Sequence, residues 1–436
     1  MISKKNLLLY AAYTFTCLED RAWSFFVKIV LESLGGMYFV SIGQFSESLL
    51  QMVFGGVLGQ LIDRISRRNA IIMVVLLNNF SILLAASFLM TEVSDPFILY
   101  NSIFFCAVNR LFLNAEKSII ARDWMVALNE KETLARQNAT LTGFDQLLNV
   151  LSPIAVGTLI TSHGISQTLF YFAIGSMVSL TSKFVFLYLT YSSNPSLKSR
   201  QYKTLDQDKE PLILPIISSK SVPRSCGVFS TYFNQTTFFA AFGMTLFYKT
   251  VMGFDNLAVG YATTSSDLSI FTIGALKSYG AVAGMIGVIS YAFLEKRFGF
   301  VRAGYVGLVV QQLLSFVALL TIWMPGSPMN FSGTPKQIEE GPSVLIFLIA
   351  IATSRFGLWC LDMAVTHSMQ IYVPESERNT VFGFHMALCQ TFSVPKEMLV
   401  IEFPQSSHFA LYIISSYFCV TLGQFYFWLY ARKVVE

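Results

Sequence analysis

The sequence predicts an all-α membrane protein, with twelve transmembrane helices arranged as two six-helix lobes. Three observations carry that prediction. Of 436 residues, 54% are hydrophobic, 15% aromatic and 13% charged, whereas soluble domains carry roughly 25% charged residues. Apolar runs of membrane-spanning length recur twelve times. Basic residues outside those runs collect almost entirely on one side. Disordered, collagenous and disulfide-rich secreted chains are excluded by the same composition, which includes 40 Phe and 19 Tyr. Twelve spans at roughly 20 residues each use about 240 residues, and the ~200 that remain go to longer helices, loops and termini rather than a soluble domain.

The runs lie near 6–31, 35–62, 69–91, 95–121, 138–161, 166–190, 228–252, 267–294, 300–323, 343–370, 379–402 and 407–431. The first is too long for a signal peptide, and Glu19, Asp20 and Arg21 interrupt it with no small-residue cleavage site. Several later runs exceed 25 residues, which predicts tilt or breaks. Between the sixth and seventh runs, residues 193–226 hold six basic residues and four prolines. They read as a cytosolic linker between lobes 1–192 and 227–436. In the seventh span, Gly253-Phe-Asp255-Asn256 followed by Gly260 predicts a broken helix near 253–260 that frees carbonyls at a cavity. A plain span end is the alternative.

With both termini placed in the cytosol, inside segments collect 21 Lys and Arg and outside segments one, Lys336. That split is a strong positive-inside signal and requires an even number of spans. Cys17, Cys106, Cys360, Cys389 and Cys419 lie inside spans and Cys226 at the linker end, so no disulfide framework is expected. Asn330-Phe-Ser is the one sequon on the predicted outer side. The expected surroundings are a lipid bilayer, with no nucleic-acid partner.

Gly59-Gln-Leu-Ile-Asp63-Arg64-Ile-Ser-Arg67-Arg68 lies between spans 2 and 3. It resembles the G-x-x-x-D-R-x-x-R-R signature of major facilitator transporters, with Ser66 where glycine is usual. Gly59 permits close helix approach, Asp63 caps or pairs with a neighbouring helix, and the arginines hold an inner gate by ion pairs. Arg122, Asp123 and Trp124, with Glu375, Glu377 and Arg378, are candidates for the same network. A basic turn obeying the positive-inside rule is the plainer reading.

Ionisable residues at membrane depth are functional candidates by default. Here they are Asp20, Arg21, Lys28, Arg110, Asp145, Lys183, Lys249, Asp255, Lys277, Arg355, Asp362, Lys396 and Glu397. Asp20 lies mid-span and is the leading substrate ligand. Asn78 and Asn79, in the middle of span 3, offer carbonyl oxygens suited to a hard cation, or equally to interhelical hydrogen bonds. His163, His367, His385 and His408 fit no paired-ligand spacing.

The run Leu18-Glu-Asp20-Arg21-Ala-Trp23 resembles the first-span W-G-D-R-M-W-H motif of ferroportins, the cellular iron exporters. Further ordered matches include Ile62-Asp63-Arg64, Asn79-Phe-Ser81, Arg122-Asp123-Trp124, Tyr232-Phe-Asn234-Gln235, Gly253-Phe-Asp255, Arg355-Phe-Gly-Leu-Trp359 and Glu375-Ser-Glu-Arg378. They cover nearly the whole chain. The resemblance implies a twelve-span major facilitator fold that exports iron(II), or a related divalent metal, by alternating access. It also implies a multi-pass protein of the plasma membrane.

The departures from the family pattern fall on its metal ligands. Asp20 remains, but Ser24 stands where the family has a histidine four residues on. In the second lobe, Asn256 and Lys396 stand at the family's cysteine and histidine. Lys183 aligns with an acidic calcium ligand and Ser176 with an asparagine, while Asp20, Asn78 and Asn79 match three other positions of that site. Lys183 is therefore expected to pair with Asp20 in place of a bound cation. Without a thiol at Asn256, inhibition by the family's thiol-dependent peptide hormone is not expected.

Three functions follow: a ferroportin-like metal exporter, a same-fold carrier of an organic cation or zwitterion, or a transport-dead regulatory homologue. No Walker A loop or H-E-x-x-H motif is present, so an enzyme is not expected, nor any cofactor.

Overall fold

The computed structural model describes residues 4–91, 96–198, 227–254, 258, 261–262, 265–266, 268, 270–327, 341–402 and 408–435. Asp255, Asn256, Asn330 and residues 199–226 of the linker, all singled out from the sequence, lie outside the described residues.

Helix α1 runs from Lys4 to Arg64 and holds the first two predicted spans. A Cβ built on Gly43 would meet Leu31 Cδ1 at 3.0 Å. Twelve residues of straight helix would separate these positions by about 18 Å, so the chain turns back between them. Helix α5, Lys131–Ser193, likewise holds spans five and six and breaks at Gly164, where φ is 78° and ψ 172°. That backbone is open to glycine because it has no Cβ. Between these long elements lie α2 (Arg67–Met90) and α3 (Pro96–Ser118). Ser66 caps α2 by accepting from the Asn69 N–H at 3.3 Å. Helix α3 continues through a π-turn, Ile119–Trp124, into α4, Met125–Leu128. The π-turn inserts an extra residue into the helical repeat, a device frequent at functional sites, and it carries Arg122, Asp123 and Trp124.

In the second half, α6 (Val228–Phe233) and α7 (Phe238–Leu246) lead into a 3₁₀ turn, Phe247–Lys249. Thr250–Phe254 are not helical, and Phe254 has a φ of 53°. Then come α8 (Ile270–Phe298), α9 (Phe300–Leu320), α10 (Ser343–Tyr372), α11 (Arg378–Glu402) and α12 (Phe409–Val435). Among the described residues, 8 segments are long and apolar enough to cross a membrane, and one of them, Thr133–Ser193, is the α5 pair folded about Gly164.

The chain divides into two compact units. The first comprises 1–137, 147–238 and 370–390, and the second 138–146, 239–369 and 391–436. In the first, Trp23, Phe26, Val30, Ile82 and Leu99 form an apolar core, with Phe172 stacked on Phe26 at 4.7 Å. In the second, Tyr261 stacks on Phe409 at 4.0 Å, with Phe347 and Ile351 beside them. Phe97, Phe293, Leu313 and Phe418 are exposed, as expected where the outer surface meets lipid rather than water. Close crossings rest on glycine. In the first unit the position of a Gly59 Cβ is taken by the Asn379 carbonyl, and in the second a Gly307 Cβ would meet the Gly357 oxygen at 2.8 Å.

Candidate functional site

Two charge clusters occupy the first unit, and both start from adjacent residues of α1. Successive helix residues point about 100° apart, so Glu19 and Asp20 face different neighbours. Lys183 Nζ, from the second half of α5, lies 2.5 Å from Glu19 Oε2 and 3.2 Å from Glu116 Oε1. All three side chains are buried. Thr16 Oγ1 and Asn78 Nδ2 donate to the two Glu116 oxygens at 2.6 and 2.7 Å. Asn109 Nδ2 donates to Asn78 Oδ1 at 2.5 Å, and Ser176 Oγ to Asn79 Oδ1 at 3.2 Å. The expected Lys183–Asp20 pair is thus corrected: Lys183 takes Glu19 and Glu116, because Asp20 is on another face of α1.

Asp20 instead faces α3. Arg110 holds one carboxylate oxygen, and Lys117 Nζ lies 2.5 Å from the other. Arg21 Nε lies 3.9 Å from Asp20, and Glu47 Oε2 is 3.9 Å from Arg110 Nε. Lys117, counted from the sequence among the inside loop charges, is a helix residue that completes this cluster. Arg110 and Lys117 are two helical turns apart and share one face. That spacing, opposite an acidic pair, is the signal that would have found the cluster. Glu47 and Glu116 were missed altogether, and Glu19 was noted only as an interruption of the first apolar run and within a motif. Ser24 Oγ donates back to the Asp20 carbonyl at 2.6 Å, so its hydroxyl serves the α1 backbone.

The predicted gating residues meet around the Gly59–Arg68 turn. Asp63 sits at the N-terminus of α11 and accepts from the Asn379 and Thr380 N–H groups at 3.3 and 2.7 Å, and from Asn379 Nδ2 and Thr380 Oγ1 at 2.8 Å each. A carboxylate there satisfies unpaired amide donors and complements the helix dipole. Arg67 is buried. Its Nη2 and Nε donate to Asp123 Oδ1 at 2.9 and 3.2 Å, its Nη2 also bonds Glu375, and its Nη1 donates to the Ser196 carbonyl at 3.3 Å. Arg378 lies 3.9 Å from Asp123. The Arg122 guanidinium stands 4.4 Å over the Phe382 ring, and Glu377 accepts from Gln235 Nε2 at 2.8 Å. Arg64 is exposed.

In the second unit, Arg355 Nη1 donates to the Gly253 carbonyl at 2.9 Å, and the Val251 N–H donates to Ser416 Oγ at 2.9 Å. These bonds hold the non-helical stretch after α7. Lys396 is half-buried on α11. Among the described residues no three His, Cys, Asp or Glu side chains converge as a metal cage.

The family model described as Ferroportin1 (FPN1) matches residues 3–420. Ferroportin of Homo sapiens is 23% identical over an alignment covering 100% of this chain and 92% of that protein. Solute carrier family 40 member 2 of Arabidopsis thaliana is 22% identical, covering 95% and 87%. Among solved structures, a bacterial homologue of iron transporter ferroportin, in an outward-facing state with soaked iron, superposes with a TM-score of 0.81 at 18% identity, covering 98% of this chain and 99% of the other. The major facilitator transporter FucP superposes at 0.63 with 11% identity, covering 98% and 99%.

Proposed function

Because the chain belongs to the ferroportin family of multi-pass transporters with the major facilitator fold, we propose that it exports iron(II) or a related divalent metal ion by alternating access. The family match across residues 3–420 carries the reading. The plasma membrane, with both termini in the cytosol, is the proposed setting, which puts the Arg67–Asp123–Glu375 cluster at the inner gate. Opening of the inner side would break those pairs and closing would re-form them, so they set the balance between two states. The relatives are transporters by name, which supports a carrier rather than an enzyme. Asn256 supports independence from thiol-dependent peptide inhibition.

Asp20 is the proposed ion ligand of the first lobe, and its present partners define how an ion would enter. Arg110 and Lys117 occupy both of its oxygens, and their side chains are 30% and 17% exposed. Incoming metal would take the carboxylate as these cations swing aside. Asn78, Asn79 and Ser24 would sit around the route, with Asp255, Asn256 and Lys396 in the second lobe.

The same cluster favours a second reading. Arg21, Arg110 and Lys117 outnumber Asp20 and Glu47, a balance that would receive the carboxylate of a zwitterion beside its ammonium. Proteoliposome flux decides between them: uptake of radiolabelled iron(II), cobalt(II) and manganese(II), alongside a panel of zwitterions and organic cations. Metal flux lost on Asp20→Ala supports export of metal. Flux of a zwitterion with none of metal overturns it.

A further inference from the structure

Helix α11 carries an imidazole and a thiol one turn apart, on a buried face that the transport reading does not use. His385 Nε2 lies 3.8 Å from Cys389 Sγ, and His385 Nδ1 lies 3.2 Å from Tyr232 Oη. His385, Cys389 and Tyr232 are all buried within the first unit. With the imidazole proton on Nδ1, directed at Tyr232, the Nε2 lone pair points toward the sulfur. Metal–nitrogen and metal–sulfur bonds of about 2.05 and 2.3 Å that span 3.8 Å subtend an angle of about 120° at the ion. The two donor atoms therefore already stand at the separation that tetrahedral or trigonal coordination needs.

We propose that His385 Nε2 and Cys389 Sγ form a binding site for a thiophilic divalent transition-metal ion of the iron(II), cobalt(II) and zinc(II) class. On binding, the Sγ–H bond breaks, its proton passes to water, and the sulfur lone pair forms the metal bond. Water fills the remaining positions. Tyr232 is a positioning residue: it fixes the ring tautomer, as outer partners of ligating histidines do. Imidazole with thiolate selects borderline and soft ions over calcium and magnesium, and two protein ligands hold an ion loosely enough for exchange. The donor pair went unread in the sequence because histidine was matched only with histidine.

The test is cobalt(II) titration of the full-length carrier in detergent, where either face admits the ion. One equivalent should produce the near-ultraviolet thiolate-to-cobalt charge-transfer absorption. Cys389→Ser should abolish it, His385→Gln should weaken binding at least tenfold, and Tyr232→Phe about tenfold. No charge-transfer absorption, or one that survives Cys389→Ser, overturns the site. Should a variant fail to fold, X-ray absorption of the unaltered protein loaded with one equivalent of zinc(II) decides it: one sulfur at about 2.3 Å beside an imidazole nitrogen supports the site, and a shell without sulfur rejects it. Binding at equilibrium does not depend on the export reading, so a carrier that shows this absorption and moves no metal would count against export alone.

Discussion

Lys183 Nζ and Glu116 Oε1 stand 3.2 Å apart, and neither side chain has any exposed surface. Removing both charges from water is costly, and their attraction, with that of Glu19, largely offsets the cost rather than yielding a large surplus. What such a cluster resists is the loss of one member. Lys183→Met should destabilise the protein by roughly 3–5 kcal/mol, because two carboxylates remain buried without their cation. Adding Glu116→Gln should recover part of that loss. Thermal unfolding in detergent reads both changes, and equal melting temperatures for Lys183→Met and the unaltered protein would deny the cluster this role.

Lys117→Met should lower the KM for divalent metal several-fold, since it releases one Asp20 oxygen that the ammonium now holds at 2.5 Å. Asp20→Asn should have the opposite effect and reduce metal flux. The pair of variants, measured in the same proteoliposome assay, separates a ligand held in reserve from a purely structural ion pair. An unchanged KM in Lys117→Met favours the structural role.

Gly59→Leu should abolish transport and lower stability by about 1–3 kcal/mol through overpacking. The new side chain would meet the Asn379 carbonyl at the start of α11, where Asp63 is bonded. Gly59→Ala should show the same direction with a smaller loss. Flux and melting temperature together report it, and full activity in Gly59→Leu would mean that α1 and α11 need not approach so closely.

Arg67→Lys should loosen the gate. An ammonium cannot reproduce the two-nitrogen contact with Asp123 while also reaching Glu375 and the Ser196 carbonyl. A cysteine introduced as Leu197→Cys, at a buried position next to the carbonyl that Arg67 holds, should then be labelled several-fold faster by a polar thiol reagent added from the side of the Gly59–Arg68 turn. Equal labelling rates with and without Arg67→Lys, both in the Leu197→Cys background, would show that the guanidinium does not limit opening.

The sequence disclosed the helices and the residues grouped around the Gly59–Arg68 turn far better than the charge partners, for physical reasons. Apolar runs and basic turns are properties of contiguous residues, so the spans and the Asp63, Arg67, Asp123 and Arg378 grouping were readable directly. Partner choice depends on helix rotation. Glu19 and Asp20 are neighbours in sequence yet serve separate clusters, and one residue of rotation decides which of them meets Lys183. The π-turn after Ser118 adds a second uncertainty, because it shifts the register between Lys117 and Asp123 in a way that no local pattern announces. The α5 break was legible only as a boundary between two apolar runs, although it is Gly164 that makes the turn.

The two clusters on α1 also have an electrical consequence. Glu19, Asp20, Glu47 and Glu116 face Arg21, Arg110, Lys117 and Lys183, so their formal charges sum to zero. Carrying one elementary charge through 100 mV requires about 2.3 kcal/mol, whereas a neutral assembly displaced as a body does no net work against the voltage. The resting potential across the bilayer therefore does no net work on this part of the carrier when it is displaced as a body.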